Sequence, residues 1–316
     1  MFELTGQQEF KNSAIRYTGL LESEKSNDRN HDLGFKMMSS FGQGFRLTNN
    51  DQYREVLIQS ARTLITRFNE NVGCIRSWDH HTDKWEFPVI IDNLMNLELL
   101  FRAWKLTGEP VFYNIAVKHA DTTLKNHFRN DYSTYHVVDY DPETGQVTAK
   151  NTHQGFADNS CWARGQAWAL YGYTMIFRET QNPVYLSQAE KIAEYLMSQP
   201  RIRKGELPYW DFSVPESSQE PFDASAAAII ASALFELGQY SQYKARYIQV
   251  AEKLLETLSA VMLSYAGREN RVFLLDHSTG SKPQGTEIDV PLIYADYYFL
   301  EAILRKIKSD QIQAIN

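Results

Sequence analysis

Apolar residues along this chain fall at spacings of three and four, in runs broken by a short recurring phrase. The phrase reads Leu4-Thr5-Gly6 then Phe10, Leu47-Thr48-Asn49 then Tyr53, Leu106-Thr107-Gly108 then Phe112, Glu179-Thr180-Gln181 then Tyr185, and Leu237-Gly238 then Tyr243. Leu94, Leu97, Phe101 and Trp104 precede the third copy, and Ile115, His119 and Leu124 follow it, so a helical stripe lies on either side. Each phrase reads as the turn of a helical hairpin. Gly or Asn takes the left-handed position that ends one helix, and the aromatic residue four further on anchors the next. The pattern predicts helices over 7–23, 31–47, 51–69, 92–106, 110–128, 160–179, 183–198, 221–237, 241–263 and 289–307. Strand signals are confined to Tyr132–Tyr140, Gly145–Lys150 and Arg271–Leu275.

The phrase returns at intervals of 43 to 73 residues, and the added length always precedes the first helix of a pair. Stacked hairpins form an open solenoid or a closed toroid, and insertions on one face favour a toroid whose mouth they build. The expectation is an all-α fold, an (α/α)6 barrel, with residues 1–316 as one domain. Six hairpins need twelve helices and the chain opens inside a turn, so a barrel lacking its N-terminal helix or two is expected here.

Charged residues sit at a fixed level of this repeat. Asp32 lies sixteen residues before Thr48, Asp92 fifteen before Thr107, Arg164 sixteen before Thr180, and Asp223 fourteen before Leu237. At about 1.5 Å per residue these are the N-terminal ends of helices of three to four turns, which places them on one rim of a radial array. Any single aspartate in such a position is more often a helix cap than a catalyst. Asp92 departs from that reading. It follows Pro88-Val89-Ile90-Ile91 and precedes Asn93-Leu94-Met95-Asn96, an apolar setting that would raise its pKa and suit a proton donor. Asp32 follows His31, which can orient or balance it.

A second concentration of chemistry runs from Tyr135 to Trp168. It carries Tyr135-His136, Thr152-His153-Gln154-Gly155, Asp158 and Cys161-Trp162-Ala163-Arg164-Gly165-Gln166-Ala167-Trp168 without helical periodicity in its first half. Aromatic faces, imidazoles, a guanidinium and an amide at a helix start, with Asp158 or Ser160 as its expected cap, suit a hydroxylated, anionic small molecule. Trp78 and Trp210 also lie by polar loops, whereas Trp104 has core spacing. Asp79-His80-His81-Thr82-Asp83 offers metal-ligand types without a third ligand fixed by spacing, so no metal or cofactor is expected. Ser278-Thr279-Gly280-Ser281-Lys282 offers hydroxyls and an ammonium for a sulfate or carboxylate, or is a solvated loop.

Composition narrows the partners. A net charge of −7 with no basic run argues against nucleic acid, and no stretch is apolar enough to span a membrane. Cys74 and Cys161 are the only cysteines, which excludes a disulfide framework, and each is expected to be a buried small residue. The first residues lack a secretory pattern, giving a cytoplasmic expectation as written; upstream sequence could carry an export signal to the periplasm.

Taken together, His31-Asp32-Leu33-Gly34-Phe35, Ile90 to Asn96, Thr152-His153-Gln154-Gly155, Trp162 to Trp168, Tyr209-Trp210-Asp211-Phe212 and Asp296 to Ala302 resemble the unsaturated glucuronyl hydrolases of glycoside hydrolase family 88, from about His31 to Lys306. The resemblance implies an (α/α)6 catalytic domain that removes the 4,5-unsaturated uronic acid from the non-reducing end of lyase-made oligosaccharides. It implies Asp92 as general acid/base and Asp32 as the second carboxylate. His31, His136, His153, Gln154, Arg164 and Trp168 would contact substrate, with Trp78 and Trp162 as aromatic walls and Arg164 as clamp for the uronate. Ser278, Ser281 and Lys282 fall where some members read sulfate. The chemistry implied is hydration of the C4=C5 vinyl ether: Asp92 protonates C4, water adds at C5, and the hemiketal opens. Three alternatives stay open: an unsaturated rhamnogalacturonyl hydrolase, an epimerase using His136 and His153, and a non-catalytic toroid that binds acidic sugars. Oligomeric state is not readable.

Overall fold

The recurring phrase works through its threonine. Thr5, Thr107 and Thr180 each donate a hydroxyl to the carbonyl four residues back and accept the amide two residues on, at 2.8–3.2 Å. Thr48 makes the first of these bonds, to the Gly44 carbonyl. The next residue is left-handed each time, with φ of 67° at Gly6, 52° at Asn49, 75° at Gly108 and 56° at Gln181. The fifth phrase differs because it has no threonine. Gly238 stays helical at φ −61°, the chain continues turning until Ser241 bonds back to Leu237, and Tyr243 is left exposed while Tyr247, one turn later, is buried.

The computed structural model describes residues 1–217, 219–265 and 272–315, with side chains outside 265 and 312–315. The chain divides into two compact units, residues 1–127 with 137–150 and residues 128–136 with 151–316. The first unit holds α1 (Phe2–Thr5), α2 (Gln8–Gly19), α3 (Leu33–Met37), α4 (Gln43–Thr48), α5 (Asp51–Ile65), α6 (Leu97–Thr107) and α7 (Pro110–Asn126). A π-helical turn, Met38–Gly42, joins α3 to α4, so the helix expected over 31–47 is present with one widened turn. Helix α5 packs on α3 and α6, and α6 on α7. Strands β1 (Phe68–Asn69) and β2 (Cys74–Ile75) form one hairpin. Strands β3 (Pro88–Ile90), β4 (Val137–Tyr140) and β5 (Val147–Asn151) form a three-stranded sheet in that order.

The second unit holds α8 (Ala163–Thr180), α9 (Pro183–Ser198), α10 (Pro200–Lys204), α11 (Ala224–Leu237), α12 (Lys244–Tyr265) and α13 (Ile293–Ile315). Helix α11 reads Ala-Ser-Ala-Ala-Ala-Ile-Ile-Ala-Ser-Ala-Leu-Phe-Glu-Leu and is buried on every side. A helix that is apolar all round belongs inside, and its small residues admit close neighbours; α8, α12 and α13 pack against it. Its one acid, Glu236, is held as a carboxylate despite burial by Arg305 and Arg178, at 2.5 and 2.8 Å.

Two expectations near loops are corrected. Arg271 lies outside the described residues, and Val272–Leu275 is not a strand: the amides of Leu274 and Leu275 bond the Asp296 carboxylate, both at 2.8 Å. Neither Asp158 nor Ser160 caps α8, which begins at Ala163. Asp158 instead accepts the Thr152 amide at 2.9 Å, and Ser160 donates to Asp211 at 2.7 Å.

Candidate active site

In the first unit a ladder of short segments positions the two aspartates. Asn30 bridges Trp78, and His31 takes the Ser77 carbonyl with both its amide (3.2 Å) and Nδ1 (2.6 Å). Ser77 in turn bonds Pro88 O through its amide and accepts the Ile90 amide on its hydroxyl at 2.9 Å. The segment carrying Asp32 is thereby tied to the strand leading into Asp92. The two helix starts also touch: the Phe35 amide bonds Asn96 Oδ1 at 3.1 Å, and a Cβ on Gly34 would lie 2.3 Å from Asn96 Cα. Only glycine permits that approach.

The cap reading separates the aspartates. Asp223 is the N-cap of α11, accepting the amides of Ser225 and Ala226, and is fully buried. Asp32 occupies the N-cap position of α3 yet makes no side-chain cap bond; its carboxylate is 42% exposed and lies 3.2 Å from His31 Nε2. Asp92 sits half-buried in a 3₁₀ turn, Ile91–Asn96, before α6, with Ile91, Asn93 and Leu94 buried around it. That turn replaces the first α-helical turn expected there. Trp78 is 6% exposed and packs with Trp85, Ile90 and Val137, which makes it a core residue behind the ladder more than an open aromatic wall.

In the second unit His136 is an anchor for a loop. Its Nδ1 accepts the amides of His153 (3.2 Å) and Gln154 (3.1 Å), which fixes the proton on Nε2, and its ring lies 4.5 Å from Trp162. Asp211, fully buried, holds the far side of the same loop through the Phe156 amide (3.0 Å) and Ser160 hydroxyl. Gln154 and His153 meet the loop that follows α12: Gln154 Nε2 donates to Gly280 O at 3.1 Å, and Gln284 Nε2 donates to His153 O at 2.7 Å. Trp168 packs edge-on against Tyr298 at 5.2 Å.

Arg164 departs from its expected role. Its guanidinium is buried, pairs with Asp223 Oδ2 at 2.9 Å, donates to Thr279 O and Gly280 O at 2.6 Å each, and stacks on Trp162. Its charge is balanced within the protein, and the bonds it makes hold the 278–282 loop. Nor is that loop solvated: Ser278 is fully buried and Ser281 nearly so, and their hydroxyls have no hydrogen-bond partner among the described residues. Lys282 Nζ pairs with Glu220 at 2.7 Å. Sequence reasoning missed Glu220, which no motif marks, and the structural part of Asp211, although Asp211 stood in one of the quoted motifs.

The remaining candidates resolve simply. Asp79 is bound by Arg67 at 2.8 Å, which holds its carboxyl below the usual range, so within the 79–83 group this carboxylate is committed to an ion pair. Among the described residues no three His, Cys, Asp or Glu side chains converge as metal ligands. Burial raises both cysteine thiols, Cys161 to about 12, which removes them as nucleophiles.

The family model described as Glycosyl Hydrolase Family 88 matches residues 1–304. The chain belongs to glycoside hydrolase family 88. Within that family it is 53% identical to an unsaturated glucuronyl hydrolase of Formosa agariphila, over 96% of this chain and 76% of that protein. A crystal structure of an unsaturated glucuronyl hydrolase specific for heparin superposes with a TM-score of 0.94 at 45% identity, covering 98% of this chain and 83% of that one. An Asp-to-Asn mutant of the Streptococcus agalactiae unsaturated glucuronyl hydrolase, complexed with dGlcA-GalNAc6S, superposes at 0.79 with 27% identity over 96% of this chain and 77% of that one. The all-α fold class expected from the hairpins is thus shared with solved family 88 enzymes, and the chain is a glycosidase.

Proposed function

We propose that this family 88 enzyme removes a 4,5-unsaturated uronic acid from the non-reducing end of oligosaccharides by hydrating the C4=C5 bond, with Asp92 as the general acid/base. The observation that carries the reading is the separation of the helix-start aspartates. Asp223 is consumed by capping and an ion pair, whereas Asp32 makes no cap and lies exposed beside His31, and the ladder that holds it also holds the turn carrying Asp92 at the adjoining helix start. Asp92 protonates C4, and positive charge develops at C5 beside the ring oxygen. The same carboxylate then takes a proton from the water that adds at C5. The hemiketal so formed opens, and the aglycone leaves without attack at C1. Asp32, oriented by His31, supports ring hydroxyls. In the second unit His136 holds the loop carrying Gln154, beside the buried Trp162.

The test follows the ultraviolet absorbance of the conjugated ene-carboxylate, which hydration removes. Wild type should bleach an unsaturated glucuronyl disaccharide, and Asp92→Asn should lose at least about 10³-fold in kcat while still binding it, as removal of a general acid/base requires. Full activity in Asp92→Asn, with loss on mutating His136 and His153, would move the reaction to an epimerase type.

A further inference from the structure

We infer that Ser77 is a positioning residue: its hydroxyl stands in for its own carbonyl beside β3, and the carbonyl so released holds His31. The inference rests on the reaction proposed above, with Asp92 as general acid/base and Asp32 as the second carboxylate. Strand β3 pairs with β4 along one edge. On its other edge the Pro88 carbonyl and the Ile90 amide both bond Ser77. A residue of a neighbouring antiparallel strand would answer such a pair with its own amide and carbonyl. Ser77 gives its amide to Pro88 O at 2.9 Å but meets the Ile90 amide with Oγ, also at 2.9 Å. Its carbonyl is thereby left for His31, which takes it twice, through the backbone amide at 3.2 Å and through Nδ1 at 2.6 Å.

This exchange gives one side chain a hold on both carboxylates. The hydroxyl fixes the Ile90 amide two residues before Asp92, where β3 gives way to the 3₁₀ turn. The carbonyl, by accepting from Nδ1, puts a proton there and leaves Nε2 as the ring atom facing Asp32 Oδ1, 3.2 Å away. The backbone beside Ser77 is itself pinned. The Ile75 carbonyl takes Asn93 Nδ2 at 2.7 Å, the Ile75 amide donates to His119 Nδ1 at 3.0 Å, and Trp78 bridges Asn30. Ser77 is fully buried, so bulk water does not replace a lost partner. Alanine, lacking Oγ, leaves the Ile90 amide and His31 competing for one carbonyl, and one of the two segments must shift. A displacement of about 1 Å suffices to slow the chemistry by about 10²-fold.

The experiment is steady-state kinetics on an unsaturated glucuronyl disaccharide, with Ser60→Ala as the control. Ser60 is fully buried in α5 and donates to Val56 O at 2.7 Å, so its loss weakens the same unit without touching the ladder. Ser77→Ala should lose about 10²-fold in kcat with KM within about three-fold of wild type. Ser77→Cys, whose sulfur is a weak acceptor, should lose about ten-fold, and Ser60→Ala should keep the wild-type kcat. Because His31 and the Ile90 amide compete for one carbonyl in Ser77→Ala, adding His31→Ala should lower kcat by less than the product of the two single losses. Wild-type kcat in Ser77→Ala, a loss carried by KM, an equal loss in Ser60→Ala, or single losses that multiply overturns the role of Ser77. Should Ser77→Ala not fold, Ser77→Cys decides, and a wild-type kcat there refutes the inference. Asp92→Asn run alongside separates the two readings: its full activity, or no turnover by wild type, overturns the reaction and the inference with it.

Discussion

Asp223→Asn isolates one buried charge. The carboxylate divides its oxygens: Oδ1 caps α11 through the amides of Ser225 and Ala226 at 3.0 and 3.3 Å, and Oδ2 pairs with Arg164 Nη1 at 2.9 Å. Asparagine keeps a carbonyl oxygen for the cap, so the change removes the counter-charge from a guanidinium whose side chain is 4% exposed. Breaking such a pair from one side costs about 3–5 kcal/mol. Asp223→Ala should cost about 1 kcal/mol more, the price of the cap. Arg164→Met combined with Asp223→Leu removes both charges and should recover most of the loss, a coupling that a double-mutant cycle measures. Urea unfolding followed by tryptophan fluorescence supplies the free energies. The carbonyls of Thr279 and Gly280 also bond the same guanidinium, so part of the loss reflects a loosened 278–282 loop. The reasoning fails if Asp223→Asn lies within about 1 kcal/mol of wild type, or if the double variant is as unstable as the single.

Acid should weaken the first unit through two histidines. Burial lowers His119 to about 3 and His127 to about 4; His119 Nδ1 accepts the Ile75 amide, and His127 Nε2 bonds Val89 O. Both folded values lie below the unfolded value of about 6.5, so the unfolded chain binds more protons in acid. Stability should be flat above about pH 6.5 and fall as pH is lowered towards the folded values, by about 2 kcal/mol per histidine at about pH 5. Urea midpoints measured against pH check this, and a protein equally stable at about pH 5 and pH 7.5 refutes it. Gly34→Ala should separate α3 from the turn carrying Asp92, since the new Cβ meets Asn96 backbone. A fall of about 10²-fold in kcat with a smaller change in KM is expected, and unchanged steady-state kinetics would show that the contact does not position the carboxylates.

Much of the local structure was legible before any coordinates. The threonine phrase predicted hairpin turns because its hydrogen bonds span only two to four residues, and where the threonine was missing, after Leu237, the turn was the one that changed form. The aspartates were found at helix starts for the same reason. Less legible was their use. Nothing in the residues near Asp223 distinguishes it from Asp32, yet one is a buried cap and the other is exposed beside a histidine. Asp158 and Ser160 looked like caps for α8 because cap propensity is local, and a loop held by Asp211 drew both elsewhere.

By itself, then, the sequence determined the helices, their turns, the family and the two aspartates at adjoining helix starts, all of which depend on periodicity, short-range bonding or contiguous motifs. Only the tertiary structure decided which charges are answered. Arg164 finds Asp223 59 residues away and the Gly280 carbonyl 116 away, and Lys282 finds Glu220 at a separation of 62. Such pairings follow from how whole helices bring distant loops together, and a low-dielectric interior makes each of them matter.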